Sequence, residues 1–417
     1  MLRKFIKPVG GLLFGWSLLG GSSAQAQTTG YVNPPAPAVS YAEPSAPVVN
    51  CANRNEACAP GVWFNADYLV WWLSAAPSPG PLLTTGSLLD ANPGALGQPG
   101  TRVVLGDQNI SNNAFSGLRL EAGTWIDEQR SIGFEAGGFV LEHRRNFQGF
   151  ASDGTGTPFL VRPFLSSQTN QQDGALLSFP TFQSGGLAEI SSTRFSGWDF
   201  NVAINGSDSP TFRADGLLGV RCLYLAESLT LQQNITSLAN QGPPDSALQQ
   251  GDRLALQDRF GTSSNFYGGQ VGGRMTWISD RFITTAVVKL ALGVTDQTAD
   301  LEGTATTRNS GPNIPAGLLV NNGNSGRNFT NSFAVVPELG LNVGYRVSQN
   351  ITLRAGYTVL YWSDVVRPGN AVSTTINPSL VPTLQGFGTG PQAAPRQPVD
   401  STDFWAQGLN LGVEFRF

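Results

Sequence analysis

Charge is scarce in this sequence, and long apolar runs are confined to its first residues. Charged side chains make up 13% of the 417 residues, whereas a soluble protein normally carries about a quarter. Beyond residues 1–26, no stretch approaches the roughly 20 continuous apolar residues that a membrane-spanning helix needs. The sequence therefore predicts no helical span in the mature chain. It also indicates that much of the surface faces something other than water.

Histidine is almost absent, which argues against catalysis. The single histidine is His143, in the segment LEHRRNF, where its neighbours Glu142, Arg144 and Arg145 favour a solvated strand end. The alternation of the preceding strand points its side chain inward. A nucleophile motif of the G-x-S-x-G type is missing, and SDGTGTP at 152–158 follows no phosphate-binding pattern. We expect no enzyme activity and no cofactor.

Cysteine is also rare, with three in the chain. Cys51 and Cys58 could close a small disulfide loop in an exported segment, a pairing that the sequence leaves open. Cys222 stands in a strand pattern as a small apolar residue, and a zinc site would need further Cys or His nearby. The loop acids lack the dense spacing of a calcium site; they are Asp153, Asp245, Asp252 and Asp258. No metal site is predicted.

The first residues are typical of a secretory signal peptide. Three basic residues precede the apolar run GLLFGWSLLG, and Ala-Gln-Ala at 24–26 offers a small-x-small cleavage site. The alternative, an N-terminal membrane anchor, would need a longer apolar run. We therefore expect residues 1–26 to be removed after export through the Sec pathway. Residues 27–61, rich in Pro and Ala, are expected to form a periplasmic linker.

The mature chain would be acidic. Loss of the three basic residues in 1–26 leaves 22 Lys+Arg against 29 Asp+Glu, a balance of −7. A chain with this balance has no basic arm for nucleic acid, so we expect no nucleic-acid partner.

From residue 62 to the end, apolar and polar residues alternate with the period of two that is typical of β-strands. In the last segment the odd positions from Trp405 to Phe417 are mostly apolar, while Glu414 and Arg416 stand on even positions. Ten such strands can be identified: 62–73, 115–127, 131–145, 192–205, 211–226, 265–278, 281–296, 333–347, 351–362 and 403–417. RVVLGDQ and SLTLQQN could extend these strands or add to them, which leaves 8–12 strands possible.

The connections alternate between tight and long. DEQR, GSDSP, ISDR and SQN are tight, whereas five long polar stretches lie at about 74–114, 146–191, 227–264, 297–332 and 363–402. Short turns at one end and long loops at the other are typical of outer-membrane barrels. Strands of this length do not fit the alternative, a soluble β-sandwich. We predict an all-β fold, a transmembrane antiparallel up-and-down β-barrel of about ten strands spanning 62–417.

One face of each strand would point into the lumen. The alternation of each strand places eight acidic and eight basic side chains on this inward face: Asp67, Arg119, Glu121, Glu135, Asp199, Arg213, Asp215, Arg221, Glu227, Arg274, Lys289, Glu338, Arg346, Arg354, Glu414 and Arg416. They are candidates for a pore lining or for a salt-bridge network, and ten strands lie close to the eight-stranded barrels whose interiors are filled. Phe417, at the end of an amphipathic strand, is similar to the signal that the outer-membrane assembly machinery reads.

Several phrases of the sequence resemble a known family. They are WFNADYLVWW, GTRVVLGDQNISNNAFSGLRLEAGTWIDEQRSIGFEAGGFVLE, SDGTGTPFLVRPF and STRFSGWDFNVAIN. They resemble the planctomycete outer-membrane family called putative beta-barrel porin 7, from about Trp63 to Phe417. The resemblance implies an outer-membrane barrel and assigns no functional residues.

We therefore expect a monomeric, porin-like passive channel for small solutes in the cell outer membrane, with little charge selectivity. Its partners would be membrane lipids and the assembly machinery. The alternative is a closed barrel that acts as a structural or adhesive surface protein through its long loops. Unpaired lumen charges would favour the pore, whereas salt-bridged rows with inward Phe195, Leu217 and Leu223 would favour the closed barrel.

Overall fold

The computed structural model describes residues 61–240, 248–306, 309, 311, 313–384, 387–389 and 400–417. The predicted signal peptide, nearly all of the predicted linker, Cys51 and Cys58 lie outside this part. Its strands are β1 (Val62–Leu73), β2 (Leu83–Thr85), β3 (Arg102–Leu105), β4 (Phe115–Trp125), β5 (Ile132–Leu141), β6 (Arg144–Ala151), β7 (Leu160–Ser166), β8 (Gln172–Ser178), β9 (Gln183–Asp208), β10 (Phe212–Ser237), β11 (Arg253–Ser279), β12 (Phe282–Thr306), β13 (Asn313–Ile314), β14 (Gly326–Arg346), β15 (Ile351–Val366), β16 (Thr375–Ile376) and β17 (Ser401–Arg416). Two short 3-10 helices, Pro368–Ala371 and Pro378–Leu380, lie between β15 and β17. Within the described residues, no helix has the length and apolar character that crossing a membrane requires.

Ten of these strands close into a ring. The order around it is β1, β4, β5, β9, β10, β11, β12, β14, β15 and β17, and β17 pairs back onto β1. Every neighbouring pair is antiparallel. At the seam Trp63 is paired with Arg416, and the backbone N–H of Phe417 donates to the Val62 carbonyl at 2.9 Å. The predicted antiparallel up-and-down barrel is confirmed.

The alternation of each strand sets one face inward and one outward. In β10, Leu218, Val220 and Tyr224 are exposed on the outside, whereas Arg221 and Leu223 are buried inside. A belt of exposed large apolar side chains continues around the ring: Tyr68, Leu118, Phe134, Trp198, Val271, Val288, Leu341, Tyr357 and Leu411. An apolar outer band on a closed barrel is the surface that a bilayer requires.

Tight turns join the ring strands at one end, termed here the turn end, and the opposite end is termed the loop end. In the turn between β4 and β5, Asp127 accepts hydrogen bonds from the backbone N–H groups of Ser131 and Ile132 at 2.9 and 3.1 Å. Arg130 adopts the left-handed conformation there, with φ 55°. The hydrogen bonds lower the pKa of the Asp127 carboxyl from its usual value. A short Asx-type turn thus reverses the chain.

Several ring strands are longer at the loop end than the sequence predicts. The predicted strand 211–226 belongs to β10, which continues to Ser237, and the predicted strand 265–278 belongs to β11, which begins at Arg253. Outward positions of these extensions are polar, as at Thr230, because they lie beyond the apolar belt. Their inward positions are buried; some are apolar, as at Leu229, and others are polar, as at Glu227 and Asp258. The predicted loop regions therefore contain much of the extended sheet.

The predicted third strand, 131–145, is wrong at its loop end. The structure divides it into β5, which ends at Leu141, and β6, which begins at Arg144. β6 leaves the ring and pairs only with β9, where Arg145 stands opposite Ser192. The break at Glu142 and His143 reverses which parity faces outward, so alternation read across it fails.

A second, five-stranded sheet lies at the loop end and is termed here the loop cap. Its order is β16, β7, β2 and β3, with β8 paired to β7. Apolar side chains of the cap pack against inward side chains of the extended ring strands in one cluster, whose members include Leu83, Phe164, Leu231, Phe260 and Val320. The connections that the sequence marks as polar loops thus have a hydrophobic core of their own.

The lumen as candidate functional site

Charged side chains line the lumen in the turn-end half of the barrel. They meet there because every second residue of each ring strand points inward. The cavity between them measures about 200 Å³, and its lining runs from Val62 and Phe417 at the turn end to Arg119 and Glu338 deeper inside.

Arg221 joins the first group of charges. Its Nη2 atom lies 2.9 Å from Asp199 Oδ2 and 2.5 Å from Glu338 Oε2. Lys289 Nζ lies 2.8 Å from the same Asp199 oxygen, and Arg119 Nη2 lies 3.5 Å from Glu338 Oε1. Two carboxylates are thus shared among three cations. Because these residues come from β4, β9, β10, β12 and β14, the group crosses the lumen.

Arg274 joins the second group. Its Nη1 lies 2.6 Å from Glu135 Oε2, and its Nε lies 3.0 Å from Asp215 Oδ2. Asn201 Nδ2 donates to Glu135 Oε1 at 3.2 Å, and Gln270 Nε2 donates to Asn201 Oδ1 at 2.6 Å. The sixteen lumen residues predicted from the sequence are all charged, so they do not include Asn201 and Gln270. The alternation of β9 and β11 nevertheless places both amides on the inward face.

A third group lies near the seam of the ring. Glu414 pairs with Arg416 on its own strand, and its Oε2 lies 3.6 Å from Arg354 Nη1. Asn65 donates to Glu121 Oε2 at 3.2 Å. Charge-assisted hydrogen bonds therefore hold side chains of this region in defined positions.

Most of the sixteen predicted lumen residues line this one cavity. Those that do are Asp67, Arg119, Glu121, Glu135, Asp199, Arg213, Asp215, Arg274, Lys289, Glu338, Arg354, Glu414 and Arg416. Arg221 belongs to the same network through Asp199 and Glu338. Arg346 stands at the turn end of β14, outside the lining. Glu227 lies farther toward the loop end, where it pairs with Arg367.

Above the charged cavity, six aromatic rings cross the lumen and are termed here the aromatic layer. Trp71 and Phe139 have centroids 5.2 Å apart, Phe139 and Phe195 5.0 Å, and Phe195 and Phe404 4.9 Å. Phe404 is followed by Trp362 at 6.4 Å, and Trp362 by Phe266 at 6.1 Å. The full set is Trp71, Phe139, Phe195, Phe266, Trp362 and Phe404.

The aromatic layer is part of a buried apolar cluster that fills the lumen at this level. The two indole N–H groups remain satisfied there, since Trp71 Nε1 donates to Asn410 Oδ1 at 3.0 Å and Trp362 Nε1 donates to Thr295 Oγ1 at 2.9 Å. T-shaped and tilted contacts between aromatic rings stabilise a structure beyond the contribution of the buried apolar area. In this structure the lumen is closed at the aromatic layer.

Cations stand on both sides of the aromatic layer. The guanidinium of Arg119 lies 5.1 Å from the Trp71 ring on the cavity side, and that of Arg367 lies 5.4 Å from the Phe404 ring on the loop side. Arg367 Nη2 donates to Glu227 Oε1 at 2.8 Å and to the Ser74 carbonyl at 3.2 Å. Sequence parity could not have found Arg367, because it follows β15 in a connecting segment.

A second buried ion pair fastens the loop cap to the ring. Arg162 of β7 donates from both terminal nitrogens to Asp258 Oδ2 of β11, each at 3.2 Å. Asp258 Oδ1 accepts the backbone N–H groups of Leu319 and Val320, each at 2.9 Å. One carboxylate thus fixes two connecting segments. The sequence marked Asp258 only as a poor calcium ligand.

His143 does not point into the lumen, which corrects the inward orientation that its parity predicts. It is exposed beside Arg145 and Arg194 on the outer face. Slight burial and the positive charges of Arg194 and Arg145 lower the pKa of its imidazole from the usual value.

The lumen can hold water and ions in its turn-end half but not at the aromatic layer. Three buried polar atoms of the charged network have no protein partner among the described residues: Asn65 Oδ1, Arg221 Nη1 and Gln270 Oε1. Buried polar atoms of this kind are normally paired with water. The arrangement is therefore a polar, charge-balanced vestibule with room for water, and it ends at an apolar barrier.

The comparison with protein families gives one match. The model of the family Putative beta barrel porin-7 (BBP7) matches residues 63–417. None of the curated proteins compared with the chain matches it.

Three solved structures illustrate distant similarity to the chain. A loop L8 deletion mutant of OmpT, an outer membrane protein of Vibrio cholerae, has 6% identity and a TM-score of 0.17, with 86% of this chain and 100% of that chain covered. A Pseudomonas aeruginosa FadL homologue has 7% identity and a TM-score of 0.22, with 86% and 90% covered. A triple mutant of the Rhodopseudomonas blastica porin has 8% identity and a TM-score of 0.13, with 85% and 100% covered. At these scores the matches carry no argument, and the fold is established by the strand pairing above.

Proposed function

This chain belongs to the Putative beta barrel porin-7 family, and on that premise we propose that it is a porin-like channel through which small solutes cross the outer membrane passively. The protein is an outer-membrane β-barrel. Its tight turns then face the periplasm and its loop cap faces outward. The charged cavity is a periplasmic vestibule, and solute crosses the barrier of the aromatic layer to reach it.

The observation that carries the proposal is the vestibule of about 200 Å³ lined by charges of both signs. Because acidic and basic side chains pair with one another across it, the vestibule offers little net charge and should discriminate weakly between cations and anions. A hydrophobic constriction in a channel blocks ions by excluding water. Conduction therefore requires displacement of some aromatic side chains.

A second candidate function is supported by the aromatic layer itself. The lumen contains salt-bridged groups, and Phe195, Leu217 and Leu223 are buried inside, which is the pattern expected of a closed barrel. In that case the barrel is a scaffold, and the loop cap is the functional surface for envelope structure or adhesion. The two candidates differ in one measurable property, the conductance of the folded protein.

The test is single-channel recording with the protein expressed from its full sequence and purified from outer membranes. Discrete openings whose conductance rises with salt concentration support the channel, and neutralising Arg354 should then shift the ratio of cation to anion permeability. A silent bilayer contradicts the channel and leaves the scaffold, provided that heat-modifiable gel mobility shows a folded barrel.

Further proposals concern biogenesis and assembly. We propose that residues 1–26 direct Sec export and that Phe417 is read by the outer-membrane assembly machinery. The aromatic end of β17, hydrogen-bonded to β1, supports the second point. We also propose a planctomycete source, a monomeric state and the absence of enzyme activity. Closure of the ring leaves no ring strand unpaired in the apolar belt, so a second copy is not needed to complete the sheet.

A further inference from the structure

The outer face of the barrel carries a concave surface just beyond the apolar belt at the loop end. It measures about 750 Å³ and is formed by β9, β10, β11, β12 and β14 near their loop ends, together with His143 and the start of β6. Small side chains make its floor, because Ala226 is paired with Ser263 and Ser228 with Gly261 on neighbouring strands. This surface is termed here the basic trough, after the side chains that border it.

One side of the basic trough carries three basic groups without acidic partners. His143, Arg145 and Arg194 are all exposed there. Within the described part of the chain, neither arginine forms an ion pair. Slight burial and the positive charges of Arg194 and Arg145 lower the pKa of His143, in agreement with the position of all three side chains in the lining of the trough. Like charges held together without a counter-charge are unfavourable unless an anion is shared between them.

The other side of the basic trough is balanced. Arg259 Nη1 lies 3.1 Å from Glu302 Oε2, and Arg327 Nη2 lies 2.9 Å from Asp300 Oδ2. Two of the four arginines of the trough are therefore paired with carboxylates and two are not, although the formal net charge of the whole chain is −4. The excess of positive charge is therefore local and lies on the side of Arg145 and Arg194.

The register of the strands places the basic trough at the border of the membrane. Arg194 is paired with Ala226, which lies two residues beyond Tyr224 along β10. At about 3.4 Å per residue, Arg194 stands roughly 7 Å beyond Tyr224. Tyr224 and Tyr267 are the last exposed aromatic side chains of the apolar belt on their strands, and on β14 the exposed Phe333 is followed by Phe329 inside the trough. Aromatic side chains of this kind sit at the level of lipid head groups.

We propose that the basic trough binds the phosphate groups of lipids in the outer leaflet, with the acyl chains lying along the apolar belt below. Arginine suits this role because its planar guanidinium donates two parallel hydrogen bonds to a phosphate. The floor of small residues leaves room for a head group to approach the strands. Continuity with the apolar belt favours a lipid over a soluble anion, since both ends of an amphipathic ligand are then accommodated.

Lipid retention in native mass spectrometry tests the proposal. The detergent-solubilised protein is titrated with lipid A, which carries phosphate groups on a glucosamine disaccharide, and with dephosphorylated lipid A. We expect preferential retention of the phosphorylated form, and an affinity for it that falls by about tenfold or more in the Arg145→Gln/Arg194→Gln double variant.

A matched control removes the same charge elsewhere on the loop-end surface. Arg102 and Arg253 are exposed and lie outside the trough, so Arg102→Gln/Arg253→Gln should leave retention unchanged. Equal retention of the two lipids, or an equal loss in both double variants, would overturn the proposal. Displacement of the lipid by the same concentration of inorganic phosphate would also overturn it, because the site would then belong to a free anion. The result is independent of conductance, so it is separate from the channel proposal.

Discussion

Arg221 on β10 and Glu338 on β14 are joined across the lumen by an N–O distance of 2.5 Å, although β11 and β12 separate their strands in the ring. The pair is nearly inaccessible to solvent, with side-chain exposures of 4% and 9%. A buried ion pair of this kind adds little to the net stability of the fold. Removal of one partner is nevertheless costly, because the remaining charge is left buried and uncompensated.

Replacement of Glu338 by Gln should therefore destabilise the barrel strongly. The substitution keeps the volume but removes the carboxylate that Arg221 and Arg119 share, and we expect the free energy of unfolding to fall by about 3–5 kcal/mol. Urea titration of the protein in lipid vesicles, followed by heat-modifiable gel mobility, measures this change. The matched control is Glu302→Gln, which breaks an exposed pair with Arg259 and should cost less than about 1 kcal/mol. Equal losses in both variants would contradict the argument.

Shortening two side chains of the aromatic layer should open the lumen. Trp71 and Phe404 are fully buried members of this layer, and Trp71→Ala/Phe404→Ala removes both rings from the barrier. We expect single-channel conductance to rise, with longer open times, because the aromatic layer then no longer excludes water from this level of the lumen. Trp72→Ala is the control, since Trp72 is the next residue and points outward. A double variant that conducts like the unmodified protein would show that the barrier lies elsewhere.

Neutralising Asp258 should release the loop cap while the ring stays closed. Asp258→Asn leaves Arg162 buried without its counter-charge and weakens the acceptor for Leu319 and Val320. A loss of about 3 kcal/mol of local stability is expected. Hydrogen exchange should accelerate in β7 and in residues 316–321, with little change in β1 and β17. Asp300→Asn, in an exposed pair with Arg327, is the control. Uniform acceleration along the chain would mean that the barrel itself had been destabilised.

His143 reports directly on the basic trough because it is the chain's single histidine. Slight burial and the positive charges of Arg194 and Arg145 lower the pKa of its imidazole, so its NMR titration midpoint should lie below that of an exposed histidine. Arg194→Gln removes one of those charges and should raise the midpoint. Phosphorylated lipid A should raise it further, since a bound phosphate favours the imidazolium form. A midpoint that does not respond to Arg194→Gln would contradict a contribution of Arg194 and leave burial and Arg145 as the causes.

Most of the ring could be predicted from alternation, because a barrel strand buries one face and exposes the other. The pattern is clear at Glu414 and Arg416, whose outward neighbours are apolar. It weakens where the strand leaves the apolar belt, since outward residues such as Ser192 and Thr230 are then polar. For that reason the loop-end extensions of the ring were predicted to be loops.

The candidate site was harder to predict than the ring. The alternation of a strand predicts which charged residues face the lumen, but it does not predict which of them form pairs. Arg221 and Glu338 pair because the closed ring brings their two strands to face each other across the lumen. Arg367 lies beyond a strand, where parity has no meaning. His143 lies at a break between two strands, and the break reverses the rule that had placed it inside.

The hydrogen bond from Phe417 to Val62 also constrains the order in which the barrel forms. β1 pairs on one side with β4 and on the other with β17, so one edge of the first strand must wait for the last strand to arrive. Contacts between such distant segments are slow to form, because the intervening chain must first be brought together. Until β17 reaches β1, the nascent sheet is an open ribbon with two unsatisfied edges, which the interior of a bilayer cannot solvate.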